Sequence, residues 1–185
     1  MEISINNFIE RQAYNFARYV HKNQIRKFSG KSYFDEHIVP VYLLVKEYNG
    51  TLEERITALL HDTIEDTNEK THINVTNELI LCLFGKTIAD KVRNLTSDPE
   101  QIEILGKTDY LIQKMLKMDD SDFKIKLADR CCNCTDLPTA PEKFKLKYFN
   151  ETEKIISNVC TRNLTEEHSQ LINSINLKIY SLKFE

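Results

Sequence analysis

The segment ALLHDTIEDT, residues 58–67, places His61, Asp62, Glu65 and Asp66 within six residues, directly after an apolar run. Imidazole and carboxylate groups beside a core are costly unless something pairs with them. On a helix, His61 and Glu65 share a face, and so do Asp62 and Asp66. His61 and Asp62 together offer one nitrogen and one oxygen donor, a mix that suits Mn, Fe or Zn better than Ca or Mg. Two neighbouring donors do not fill a coordination sphere, so a metal site here needs distant partners. His37 opens an apolar helical segment after an acidic, aromatic loop, and Asp129 lies in the apolar helical context KLADRCCN. These two are the candidates. The His-Asp pair alone reads equally well as a charge cluster at a helix end.

The elements that must position these groups read as helices. A first helix is expected over about residues 6–24, with Phe8, Ile9, Ala13, Phe16, Ala17 and Val20 at spacings of three and four. A basic, Gly-containing loop, IRKFSGKSYFDE, leads to a second helix over about 37–48, which stops at Asn49-Gly50. Thr51 and Glu54 form a capping box for a third helix, whose stripe is Leu52, Ile56, Leu59 and Leu60. Further helices fit residues 74–84, 86–95, 108–118 and 121–137. Pro138 and Pro141 break the chain, and Pro141 suits the first position of a helix reaching about residue 160. Thr165 caps a last helix, with Leu171, Ile172, Ile175 and Ile179 buried. No repeat or linker interrupts this pattern, so the expectation is one all-α domain over residues 1–185.

Composition narrows the class. Apolar content of 41 % and charged content of 29 % are those of an ordinary globular protein, and four Gly with four Pro argue against a turn-rich sandwich. A net charge of −3 leaves no global footprint for nucleic acid. No apolar run is long enough for a membrane span, and the N-terminus MEISINNFIERQ lacks the pattern of a signal peptide. The N-x-T sequons then reflect an Asn-rich composition. Five cysteines, three of them in CCNC, fit free thiols in a reducing, cytoplasmic compartment. Cys131, Cys132 and Cys134 read as small apolar packing residues rather than a zinc or redox site. His21, His72 and His168 fall outside the motif and read as surface groups.

His…His-Asp…Asp is the ligand set of the HD metallohydrolase superfamily. HDTIEDT resembles the HDxxED box of RelA/SpoT-type guanosine tetraphosphate hydrolases, single-domain metazoan forms included. The resemblance is ordered along residues 16–152. IRKFSGKSYFDEH resembles the basic loop before the family's first metal histidine, LFGKTIADKVRNLT its segment after the box, IKLADRCCNCTDL its "KLADKxxNxxDL" segment, and KYFNE its late Tyr-bearing helix.

The resemblance implies an HD-domain helical bundle in which His37, His61, Asp62 and Asp129 hold one Mn²⁺. Glu65 and Asp66 would activate its water, a proton-transfer task suited to carboxylates. The reaction would release pyrophosphate from the 3′ position of ppGpp or pppGpp. Arg26, Lys27, Phe34, Asn133 and Tyr148 match substrate-binding positions. The family has Tyr three residues before its first His and Pro directly after; here Phe34 and Ile38 stand there, and the spacing from Gly30 to His37 is one residue longer. Phe34 can flank a base but lacks the hydroxyl donor. Arg130 stands where Lys is common. Two other readings stay open: an HD phosphohydrolase on another nucleotide, such as one removing the 2′-phosphate of NADPH, and a nucleotide-binding HD protein without catalysis. The small-molecule nucleotide is the expected partner in each.

Overall fold

A computed structural model describes residues 4–66 and 74–181. Contacts divide the chain into two compact units, Met1–Arg26 with Gly30–Thr96, and Lys27–Ser29 with Ser97–Glu185.

In the first unit, α1 (Phe8–Val20) starts at Asn7, whose side chain accepts from the Glu10 amide. Its inward face is Ala13, Ala17 and Val20, as the spacing predicts. Phe8 and Ile9 are exposed instead of buried, and Glu10 turns inward. The buried carboxylate is tolerated because Arg55 Nε (2.6 Å) and the Tyr42 hydroxyl (3.1 Å) both donate to it. Burial, and then the Glu10 charge, push the Tyr42 phenol up to about 12, so it stays a donor. This strut joins α1 to α2 (Val39–Glu47) and α3 (Leu52–Leu60). The capping box of Thr51 and Glu54 is present on α3 in both directions. Asn49 takes φ 55° and the Gly50 amide closes on Val45 O, which ends α2. Then come α4 (Asn77–Phe84), capped by Thr76, and α5 (Lys86–Leu95), which packs on α3.

One segment departs from the expected helix over 37–48. Residues Phe34–Ile38 form a π turn that runs into α2, with the Val39 amide bonded to Phe34 O five residues back. A π turn carries one residue more than an α turn. It lies in the stretch where the resemblance implies a spacing one residue longer, between Gly30 and His37.

The second unit holds α6 (Pro99–Leu105), α7 (Lys107–Lys117), α8 (Asp120–Asn133), a 3₁₀ segment (Cys134–Thr139), α9 (Glu142–Val159) and α10 (Glu166–Ser181). Helix α6 lies outside the helices expected from periodicity, yet it has Asp98 as cap, Pro99 at its first position and Gly106 just past its end. The expected helix over 121–137 divides at Asn133, because Pro138 lacks an amide hydrogen and restricts the residue before it. Thr165 caps α10, and its stripe Leu171, Ile172, Ile175 and Ile179 is buried as expected. Cys131, Cys132 and Cys134 are buried packing groups, and burial pushes the Cys132 and Cys134 thiols up to about 12. His168 is fully buried, with Nε2 2.9 Å from Asp120 O, not the surface group expected. His72 lies outside the described residues. No helix among the described residues is long and apolar enough to cross a membrane.

Candidate active-site residues

In the first unit, His37 comes from the π turn and His61 and Asp62 from the end of α3. Their side chains converge. His37 Nε2 lies 3.4 Å, and His61 Nε2 3.1 Å, from the same oxygen, Asp62 Oδ2. His37 and His61 are buried, with ring centroids 5.4 Å apart. His61 Nδ1 is 2.7 Å from Ala58 O. A carbonyl only accepts, so in the neutral ring Nδ1 carries the proton and Nε2 the lone pair. A lone pair facing a carboxylate oxygen needs a cation, either a ring proton or a metal ion. With His37 on the same oxygen, one divalent ion meets both demands. The donor set fits such an ion.

Burial by itself would raise the Asp62 carboxyl. The charges and hydrogen bonds of His61 and His37 outweigh it and hold Asp62 well below the usual carboxylate range. A third partner lies outside the expected set: the Tyr33 hydroxyl donates a 2.6 Å hydrogen bond to Asp62 Oδ2. The Tyr33 ring lies 4.9 Å from that of His37 and 5.7 Å from the Arg26 guanidinium. Phe34, expected to flank substrate, is instead 2 % exposed and packs edge-on against Tyr14, 5.0 Å away. Phe34 opens the π turn and faces the core, while Tyr33, the residue before it, presents its hydroxyl to Asp62. The signal in the sequence is the longer spacing from Gly30 to His37.

Glu65 is exposed and Asp66 partly buried, in the turn that follows α3. The Asp66 amide bonds to Asp62 O at 3.0 Å, which keeps the register set by α3. Gln24 Nε2 donates to Asp66 Oδ2 at 2.7 Å, a contact the motif does not announce. Arg26 is 8 % exposed, more enclosed than a loop cation ordinarily is. The Arg26 amide bonds to Lys31 O (2.8 Å), and Gly30, at φ 69°, returns its amide to Arg26 O (3.1 Å). That left-handed φ favours glycine.

The second unit gathers the other candidates. On α8, Asp129 is buried, pairs with Lys126 at 2.9 Å and accepts from Asn133 Nδ2 at 2.6 Å. Next to it, the Arg130 guanidinium lies 5.2 Å from the Tyr148 ring and donates to Thr152 Oγ1 (2.7 Å). Burial raises the Tyr148 phenol, so it remains protonated and can donate. Phe144 stacks on Tyr148 at 6.2 Å and meets Phe28 edge-on at 4.7 Å. Lys27 Nζ sits 5.4 Å from the rings of both Phe28 and Phe144. Asp136 fixes this segment by accepting the amides of Phe28 (3.3 Å) and Ser29 (3.1 Å). Cations over aromatic faces can contact phosphate and base together. Phe28, Phe144 and Asp136 were not among the expected site residues.

A family model described as HD domain matches residues 13–163. The chain belongs to the HD-domain family. This HD domain is 32 % identical over 134 residues to the guanosine-3′,5′-bis(diphosphate) 3′-pyrophosphohydrolase MESH1 of Xenopus tropicalis, covering 68 % of each protein. It is also 32 % identical over 158 residues to the bifunctional (p)ppGpp synthase/hydrolase SpoT of Escherichia coli K12. That alignment takes in 82 % of this chain and 21 % of the relative, so the chain spans about a fifth of the length of such relatives. A solved structure described as a metazoan ortholog of SpoT that hydrolyzes ppGpp superimposes with a TM-score of 0.79 at 22 % identity, over 98 % of both chains. The all-α HD-domain fold extends over 98 % of the chain.

Proposed function

We propose that this protein is a metal-dependent hydrolase that removes the 3′-pyrophosphate of (p)ppGpp, giving GDP or GTP and pyrophosphate. Residues 1–185 act as one HD-type domain, a reading supported by the family match over residues 13–163. The observation that carries the function is the convergence of His37 and His61 on one Asp62 oxygen inside an HDxxED box, in a chain related to named 3′-pyrophosphohydrolases. His37, His61, Asp62 and Asp129, three of them buried, would hold one divalent ion, Mn²⁺. When bound, such an ion lowers the pKa of its water and polarises a phosphoryl oxygen.

The chain supplies the rest. Glu65 and Asp66 orient the attacking water and take its proton as its oxygen bonds to the phosphorus linked at the ribose 3′ oxygen. The bond from that phosphorus to the 3′ oxygen breaks, and the leaving oxygen takes up a proton. Lys27, Arg26, Asn133 and Tyr148 bind the polyanion, with the aromatic faces of Phe28 and Phe144 offered to the base. Phe34 is dropped from this set because its ring is buried. Tyr33 replaces it. The substrate is a cytoplasmic small molecule, and neither nucleic acid nor membrane is required.

The test is incubation of the protein and Mn²⁺ with ppGpp, and separately with NADPH, followed by measurement of pyrophosphate and phosphate. Pyrophosphate from ppGpp, lost in Asp62→Ala, is the expected result. Phosphate from NADPH with no product from ppGpp would replace the substrate and leave the metal assignment in place. No turnover of either, with nucleotide still bound, would favour the non-catalytic reading. Glu65→Gln is expected to keep the metal and lower kcat by about 10²–10⁴-fold.

A further inference from the structure

His21 and Gln24 lie outside the HDxxED box, at the end of α1 and in the turn after it. Both are buried, His21 fully and Gln24 to 5 % exposure. His21 Nδ1 lies 2.7 Å from Gln24 Oε1, and Gln24 Nε2 lies 2.7 Å from Asp66 Oδ2. Backbone bonds hold Gln24 in place, its amide on His21 O (3.0 Å) and its carbonyl taking the Tyr33 amide (2.9 Å). We propose that His21 and Gln24 are positioning residues that fix the Asp66 carboxylate for catalysis through a directed hydrogen-bond chain. The proposal rests on the reading of Asp66 as a water-activating group.

The direction follows from donor chemistry. An ionised carboxylate only accepts, so Gln24 must present its NH₂ group to Asp66. Gln24 Oε1 then faces His21, and a carbonyl oxygen only accepts, so His21 Nδ1 bears a proton. Nε2 is left as the lone-pair nitrogen, buried and without a hydrogen-bond partner among the described residues. Burial lowers the His21 pKa, against the opposing effects of Gln24, Asp62 and Asp66, which favours this neutral form. The chain Nδ1–H···Oε1 and Nε2–H···Oδ2 is therefore neutral up to Asp66. A neutral amide fixes a carboxylate while weakening it as a base less than an adjacent Lys or Arg would. The buried imidazole in turn keeps the amide from flipping.

Two measurements test this. The first is the tautomer of His21, read from imidazole nitrogen shifts and long-range couplings in the ¹⁵N-labelled, Mg²⁺-loaded or metal-free protein. The proton is expected on Nδ1; a proton on Nε2 overturns the chain. The second is kinetic, on ppGpp with Mn²⁺. Gln24→Glu keeps size but removes the donor. It is expected to lower kcat by about 10–100-fold, the scale of losing an orienting partner, with KM and bound Mn²⁺ little changed. His21→Phe is expected to lower kcat in the same sense, and His21→Asn, which keeps an N–H near Nδ1, to recover at least part of the loss. A Gln24→Glu protein with wild-type kcat, alongside an inactive Asp66→Asn, overturns the positioning role. So does a loss of kcat matched by equal losses of bound Mn²⁺ and thermal stability. If Asp66→Asn itself turns over normally, it is the assignment of Asp66 that falls, and the tautomer still decides the hydrogen-bond chain.

Discussion

Asp62, just past the end of α3, and Asp129, within α8, are acids set among different partners. Asp62 at the end of α3 meets two imidazoles and a phenol on one oxygen. Asp129 on α8 meets an ammonium and a carboxamide, one on each oxygen. A lysine is a fixed cation that keeps the Asp129 carboxylate ionised, as an oxygen donor must be. Imidazoles can lose their protons to give lone pairs, so the group around Asp62 can exchange ring protons for a metal ion. The first unit therefore carries three of the four proposed ion donors and both carboxylates proposed to handle the proton. The second concentrates cations and aromatic faces: Lys27, Arg130, Phe28, Phe144 and Tyr148. The same residue type keeps different company in the two units, because of what is packed against it.

The largest expected effect tests that division directly. Asp62→Ala should lower bound metal and turnover by more than about 100-fold, since losing even an outer partner of a ligand costs 10–100-fold. Metal analysis and calorimetry with ppGpp in EDTA would check it, and nucleotide binding should survive. Loss of both together would break the division. Tyr33→Phe should weaken metal affinity by about 10–100-fold by releasing the Asp62 oxygen, seen in a metal titration. If it raised KM and left the metal alone, Tyr33 would belong with recognition.

Asp136→Ala should do the reverse. It frees the Phe28 and Ser29 amides from a charged acceptor worth about 1.5–3 kcal/mol, so KM should rise roughly tenfold or more with metal content unchanged. A smaller effect concerns pH. The folded pKa of His21 is lowered, so the unfolded chain binds its proton first as pH falls. Its contribution is full above the ordinary value of about 6.5 and is lost as pH falls through the folded pKa. Melting temperatures from pH 7.5 to 5 should fall more steeply for the wild type than for His21→Asn. The smallest effect is on thiols. Cys82 and Cys160 are exposed and should react with a thiol reagent in the native protein, while Cys131, Cys132 and Cys134 should react only on unfolding.

Much of the fold was legible because capping and periodicity are local. Thr51 with Glu54, Thr165, and the 3.6-residue stripes of α5 and α10 depend on residues three and four apart. Even α6, which periodicity missed, carried its Pro99 and Gly106 signals. The π turn was not legible as such. That Tyr33 reaches Asp62 while Phe34 packs on Tyr14 needed the backbone. His21 and His168 were misplaced on the surface for a related reason. A polar residue is buried only when a partner is supplied, and Gln24 and Asp120 are partners of different kinds, a side chain nearby and a carbonyl 48 residues away.

By itself the sequence determined the helical class, the box His61-Asp62-Glu65-Asp66, and the kind of ion those donors suit, because donor type and helical spacing are properties of the chain alone. The tertiary structure decided which aromatic ring reaches Asp62, that Glu10, His21 and Gln24 are buried, and that Gln24 holds Asp66. Those outcomes rest on the desolvation of polar groups, and a buried polar group is stable only where packing delivers its partner.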